Sequence, residues 1–462
     1  MKSQLLSALL VSVTASTALV IAQQRGAEPQ AAAPDPIRTL VERLELEKYK
    51  ATIKGLTQFG DRREGTDRNR AAVDWIEAQL KSYGCTNTER IRYTYGNTQR
   101  PQSGTTANPQ SPQSPQSTQS PQGGQGAQSG QATPRSGQAP DAARGAAQGR
   151  GGGAAAGGGR GAAPQAAAGR NSVPQSAGGG RPRGIRARTG VNTNPALQPD
   201  EKLRALNTQP STPGPREEVF CTKIGTTRPD EMYIVGAHMD GHGWGEAAND
   251  NGSGTAIVME LARVLNSPDV RTDRSVRFVL WNNEETGLNG SQAYVTQRRE
   301  LQGKEDPPGS GRYPEPKWLG MIQHDMMLFD HGMPRADGTV SPEQRPEADV
   351  NVEFQLNSKF AAQSQTLAWA LQVANEKYAT DYPASIGSHM TNTDSSSFMD
   401  WVPSISVREN ERGTQIGNGW DPHWHQPTDV YATFSDKDFR LGLNAAQTTL
   451  AAISQLVGAV LR

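Results

Sequence analysis

Cysteine is almost missing from this chain: Cys85 and Cys221 are the two in 462 residues. Two cysteines cannot form the framework of a small stapled scaffold. They can pair if their segments become neighbouring strands, and a bridge or two buried thiols both stay open at this point. Charge of one sign is missing as well. Lys+Arg 47 balances Asp+Glu 47 to a formal net charge of zero, which gives no general case for nucleic acid or an anionic membrane as partner. Apolar residues are scarce, at 34%, while Gly 49 and Pro 31 are plentiful, so part of the chain is not packed core. Beyond residue 22 no stretch approaches the ~20 apolar residues of a membrane span.

What is present divides sharply. Residues 1–22 have the form of an export signal, with Lys2 in front of an apolar stretch over 5–21 and a small-residue cleavage site ending at Ala22. That form is preferred over an uncleaved anchor and places the protein in the periplasm or outside the cell. Residues 23–35 read as a flexible tail. Helical periodicity runs from Pro36 to Gly84, first through Ile37, Leu40, Val41 and Leu44, then through Ala71, Val73, Ile76 and Leu80. Residues 86–95 alternate as a strand does. Residues 96–197 then carry PQS repeats, poly-Gly/Ala tracts and scattered Arg with almost no large apolar side chains. Such a segment cannot offset its ordering entropy and is expected to be disordered. Its arginines, Arg144 to Arg188, lack the aromatic partners that base stacking needs. It reads as a solvated insertion in one domain made of 36–95 and 198–462.

The stretch 231–291 organises that domain. Two β-branched apolar runs, 232–237 and 276–281, have the length of buried strands. The first ends at His238 and Asp240, the second at Glu284 and Glu285. Between them Asn249, Asp250 and Asn251 precede a helix whose Ile257, Leu261 and Val264 share a face. Strand, helix and parallel strand make a βαβ unit, and open α/β sheets bind ligands at the carboxyl ends of their strands. Downstream, a helix is expected from a Ser291 cap to residue 299, and a strand over 318–323 ending at His324 and Asp325. A polar loop over 330–349, a helix over 359–378, a strand over 404–408 and a closing helix over 437–461 follow. The fold class is α/β: a three-layer α/β/α sandwich on a mixed, mostly parallel sheet, with the long insertion.

Singly, these polar residues are weak signals, because most such residues are solvated charge or satisfied pairs. Jointly, the sheet-end positions and His425 are all of metal-ligand type. The ordered series GAHMDG, ANDNGSG, NNEETGLNGS, HD and HQPTD resembles the co-catalytic zinc peptidases of clan MH. These include bacterial leucyl aminopeptidases and glutamate-carboxypeptidase-like enzymes. The run 60–66, GDRREGT, resembles that family's arginine–glycine–threonine segment.

The resemblance implies two Zn²⁺ per chain, with Mn²⁺ or Co²⁺ also suited to the ligands. His238 and Asp325 would hold one ion, Glu285 and His425 the other, and Asp250 would bridge. Asp240 would accept the second ring N–H of His238, and Glu284 would be the general base. Chemistry supports this division: two ions roughly 3.5–4 Å apart acidify a shared water and polarise a carbonyl, and a carboxylate between them reduces their repulsion. In an extended segment Glu284 and Glu285 would face opposite ways, so that one can ligate while the other, after a turn, reaches the water. Asp394 matches a family position near the site, although Ser395 stands where the family often has His. His423 competes with His425 for the ligand role, and the HQPTD match favours His425. His324 is expected to point into packing, and His242, His331 and His389 are read as loop or surface residues.

The expected function is an exported metal-dependent exopeptidase acting on peptides, of aminopeptidase type, with oligomeric state undetermined. A carboxypeptidase or dipeptidase of the same family, a glutaminyl-cyclase-like acyltransferase and a non-catalytic zinc-binding relative are the alternatives. Retention of both His238 and Asp325 argues against a one-zinc cyclase. Gly241–Gly245 follows a strand, but Glu246 stands where a dinucleotide loop needs its last glycine. No His-Glu-x-x-His occurs, so a single-zinc thermolysin-like mechanism is unsupported.

Overall fold

The computed structural model describes residues 35–95, 191–329, 350–388, 392–409 and 421–462, all within one compact unit. The expected signal, nearly all of the tail, residues 96–190 of the insertion, the loop expected over 330–349, His331 and His389 lie outside the described residues.

Three helices come first: α1 (Pro36–Val41), α2 (Leu46–Thr57) and α3 (Asp67–Ser82). The Thr66 hydroxyl accepts the Asn69 N–H to cap α3, and Gly84, at φ 94°, takes the left-handed turn beyond its end. β1 (Glu89–Tyr95) follows. The described chain resumes at Val191, inside the span expected to lack order, with a 3₁₀ turn over Pro195–Leu197. Next come α4 (Glu201–Asn207), β2 (Gly214–Lys223), β3 (Arg228–His238), α5 (Gly254–Leu265), β4 (Val270–Arg271), β5 (Arg274–Trp281) and α6 (Asn289–Arg298). The last third holds β6 (Lys317–His324), β7 (Val350–Phe354), α7 (Ala361–Tyr378), β8 (Ala384–Gly387), β9 (Ser404–Arg408), α8 (Asp436–Leu456) and β10 (Val460–Leu461).

The main sheet runs β1-β2-β5-β3-β6-β9-β7-β8. β5, β3, β6 and β9 are parallel to one another, β1 and β2 are antiparallel on one flank, and β7 is antiparallel to β9. Strands buried on both faces alternate between two cores. Val235 and Ala237 of β3, with Phe278 and Leu280 of β5, face the large core formed with α1, α2, α3, α5, α7 and α8. Met232, Ile234, Val279 and Trp281 face a smaller aromatic cluster with Tyr294 of α6, Trp318 and Phe398. The three-layer sandwich and the βαβ unit are therefore as expected. Among the described residues no helix is long and apolar enough to cross a membrane.

Several boundaries differ. Ser291 does not cap α6: the helix starts earlier, after Leu288 in a left-handed conformation, and the Ser291 hydroxyl meets that of Ser397 at 2.8 Å. The closing helix stops at Leu456, because Gly458 turns at φ 65° and β10 then pairs with β4. β7 and β8 escape the expectation because each is short and flanked by loop. Cys85 and Cys221 form a disulfide with Cα atoms 6.1 Å apart. The register explains it, since β1 lies on β2 with Glu89 opposite Phe220, one residue from Cys221.

Candidate metal centre

The parallel strands deliver their ends to one edge. His238 is the last residue of β3, Asp325 follows the last residue of β6, and Glu284 and Glu285 follow β5 by a turn. Asp250 lies in the tight turn Ala248–Ser253 that leads into α5. His425 comes from the loop before α8.

These side chains meet. His238 Nε2 is 3.4 Å from Asp250 Oδ1 and 3.4 Å from Asp325 Oδ1. His425 Nε2 is 3.0 Å from Asp250 Oδ2 and 2.8 Å from Glu285 Oε2. Asp250 thus presents one oxygen to each histidine. His238, Glu284 and Asp325 offer ligand atoms all within 4.8 Å of one another, as do His238, Asp250 and Glu285. The five residues expected as ligands and the expected base are all in the cluster.

Two local expectations are corrected. The ring nitrogen His238 Nδ1 meets the main-chain carbonyl of Asp240 at 3.0 Å, while the Asp240 carboxylate stands 3.8 Å away. A carbonyl only accepts, so Nδ1 carries a proton and Nε2 is the nitrogen that faces the cluster. The Asp240 carboxylate instead accepts the backbone N–H of Glu284 at 3.1 Å and of Glu285 at 3.3 Å. It shapes the acidic turn rather than the histidine. Nor do Glu284 and Glu285 diverge. Asn283, at φ 66°, breaks the extended geometry and turns both carboxylates inward.

Supporting contacts hold the loops. The Asp429 carboxylate accepts the N–H of Asn249 at 2.8 Å and of Asp250 at 3.0 Å. Asn251 donates to the His324 carbonyl at 2.9 Å, tying the turn to β6. The buried Arg62 guanidinium donates to the carbonyls of Met239, Glu246 and Ala247 at 2.7, 2.8 and 2.8 Å, bracing the segment between His238 and Asp250. Burial lowers its pKa to about 10. Arg408 pairs with Asp325 Oδ2 at 2.8 Å. Asp394 accepts from Gln323 at 3.0 Å, and burial pushes its carboxyl up to about 7.

The electrostatics suit a cation. Burial pushes Asp240 up to about 6 and Glu284 well above the carboxylate range, the latter with further pressure from Glu285, Asp394 and Asp325. Burial would lower His238, but Glu284, Asp250 and Asp325 overcome it and hold the imidazole well above its usual value. Among the described residues, Glu285 Oε1 and His425 Nδ1 are buried without a hydrogen-bond partner. An acidic donor set with an unpartnered buried oxygen fits divalent metal.

His324 turns away as expected, its Nε2 2.9 Å from the Thr449 hydroxyl of α8, and burial lowers its pKa to about 4. His423 Nδ1 is bonded to the Thr428 hydroxyl at 2.8 Å. His242, read as a loop residue, instead adjoins the cluster, with Nε2 3.0 Å from the Glu285 carbonyl. No sequence pattern marks that contact. Asp429 lay in a quoted motif, and its paired acceptor role needed only the neighbouring Asn249–Asp250 turn to become visible.

The profile of Peptidase family M28 matches residues 219–447. The chain is 45% identical over 114 residues to aminopeptidase YwaD of Bacillus subtilis, covering 24% of this chain and 23% of that protein. It is 44% identical over 81 residues to the probable lipoprotein aminopeptidase LpqL of Mycobacterium tuberculosis, covering 17% and 15%. The matched segments thus span less than a quarter of these relatives. The LapA aminopeptidase of Legionella pneumophila superposes with a TM-score of 0.50 at 14% identity, over 94% of this chain and 80% of that one, which is a likeness of fold.

Proposed function

This chain belongs to Peptidase family M28, and we propose that it is an exported exopeptidase, of aminopeptidase type, that cleaves peptide bonds with two zinc ions and Glu284 as general base. The observation that carries this reading is Asp250, whose two oxygens face His238 and His425 separately, at 3.4 and 3.0 Å. His238 and Asp325 would hold one ion, Glu285 and His425 the other, with Asp250 shared. Nitrogen and carboxylate donors of this mix suit Zn²⁺, and Mn²⁺ or Co²⁺ also fit. Bound there, the ions supply a water acidified to near-neutral pKa and polarise the scissile carbonyl.

The chain's own residues do the rest. Glu284, aimed inward by Asn283 and by the grip of Asp240 on its amide, takes the proton of the attacking water. It then returns the proton to the leaving amine nitrogen. The Cys85–Cys221 disulfide suits an oxidising compartment and supports export.

The test is Glu284→Ala in the purified chain, with metal content and hydrolysis of free-amine and N-blocked dipeptides measured together. Retained metal with hydrolysis down by ~10²–10⁴-fold is expected for a lost general base. Loss of metal instead would make Glu284 a ligand, and cleavage confined to N-blocked substrates would overturn the aminopeptidase reading.

A further inference from the structure

The glycine-rich run 241–245, unused by the chemistry above, lies backbone to backbone against the loop that carries His425. A Cβ on Gly243 would stand 2.2 Å from the His425 carbonyl carbon, and one on Gly245 would stand 2.6 Å from the Asp429 carbonyl oxygen. Only glycine allows that approach. Gln198 closes the same junction, its amide donating to the carbonyls of Trp244 at 2.8 Å and Pro427 at 2.9 Å. Held between these glycines, His242 reaches over the acidic turn. Its Nε2 is 3.0 Å from the Glu285 carbonyl and 3.6 Å from Glu285 Oε2. Its ring meets that of His425 edge-on, centroids 5.4 Å apart at 79°. Because a carbonyl only accepts, Nε2 carries the proton, and the nitrogen facing the cluster has no lone pair for a metal.

We propose that His242 is a positioning residue for one of the two cations: it fixes Glu285 through its main chain and His425 through its ring, and those two side chains would share an ion. The assignment rests on the two-cation reading above. It makes the two metal positions unequal in their support. Removing the imidazole takes a contact from both side chains of one position, leaving Asp240 on the Glu285 amide and the Trp424 ring stacked on His425 at 3.9 Å. By contrast, His242 touches neither His238, held by the Asp240 carbonyl, nor Asp325, held by Arg408. Partners of this kind typically change metal affinity by 10–100-fold.

Zinc titration of the metal-free full-length chain by calorimetry, with chelator competition for tight phases, tests it on the wild type, His242→Ala and His242→Gln. Two binding phases are expected in the wild type. In His242→Ala one phase weakens by ~10–100-fold and the other stays, and the weakened phase is the one that Glu285→Gln loses. His242→Gln, whose amide nitrogen can replace the Nε2–H donor, recovers part of the affinity. Melting temperatures of the metal-free proteins separate this from a purely structural role, which would lower stability while leaving both affinities alone. Two phases unchanged in His242→Ala, or weakened equally, would overturn the assignment alone. A wild-type chain that takes up a single ion would overturn the two-cation reading and this assignment with it.

Discussion

Among the described residues, two of the buried clusters of charge are built in opposite ways. Inside the aromatic cluster beside α6, the Arg277 guanidinium pairs with Glu315 and also donates to the Tyr294 hydroxyl at 2.5 Å and the Thr222 hydroxyl at 2.9 Å. It lies 4.2 Å from the Phe220 ring centroid, and Glu315 accepts in turn from Tyr294 and Trp318. Arg298 adds a second cation at the edge, 4.0 Å from Glu315, so the carboxylate is fully compensated and the hydrogen bonds close. At the sheet edge, Asp240, Asp250, Glu284, Glu285 and Asp325 face His238, His425 and Arg408, and a carboxylate oxygen of Glu285 has no partner. A structural ion pair ends neutral. A cluster with surplus acid is stable only if protons or cations make up the difference, and that imbalance separates a binding site from scaffolding.

The contrast breaks most visibly at Asp250. Asp250→Ala removes the carboxylate that faces both histidines, so zinc affinity should fall at both positions by more than the ~10–100-fold typical of a supporting partner. Metal analysis of the dialysed variant, alongside its peptidase activity, checks this. In the other cluster, Arg277→Met strands Glu315 in an apolar interior. Stability should drop by ~3–5 kcal/mol, with only part of it regained in the Arg277→Met/Glu315→Leu pair, because Tyr294 and Trp318 then lose their acceptor. Denaturant melts measure both, and zinc content should not change. A fall in zinc content would mean that the two clusters are not separable.

Glu218 of β2 sharpens the comparison with the smallest effect. It is fully buried, and the Asn282 main-chain N–H is the one contact that favours its charged form. Burial, then the charges of Asp394 and Asp240, push its pKa well above the ordinary 4.5. Its contribution to stability is complete below 4.5 and declines as pH rises towards the folded value, because the unfolded chain ionises first. Glu218→Gln keeps the neutral form, so it should stabilise the protein by ~1–3 kcal/mol at neutral pH and flatten the curve above pH 4.5. Denaturant midpoints between pH 4 and 8 read this, and an unchanged slope would show that Glu218 is charged in the fold.

The layered α/β architecture was legible because its cues are local. The continuous β-branched apolar runs of β3 and β5, a helical face on α5 and glycine at Gly84 each act over a few residues. The cluster of candidate ligands was legible for a related reason: parallel strands must end on one edge, so His238, Glu285 and Asp325 were bound to approach one another. Less legible were the short strands β7 and β8, the Ser291 position inside α6 and the end of α8, where burial against distant segments outweighs local preference.

Sequence by itself determined which residues are ligand-like and that a βαβ unit carries them, and the resemblance of HQPTD to the family motif favoured His425 over His423. Tertiary structure alone decided that Cys85 meets Cys221, that Asn283 turns both glutamates inward, and that Asp240 grips amides instead of an imidazole. It also decided that His242 touches Glu285 and His425. The reason is physical. Periodicity and strand direction are encoded over a few neighbours, whereas a side chain's partner depends on loop dihedrals and on which distant backbone can come within hydrogen-bonding reach.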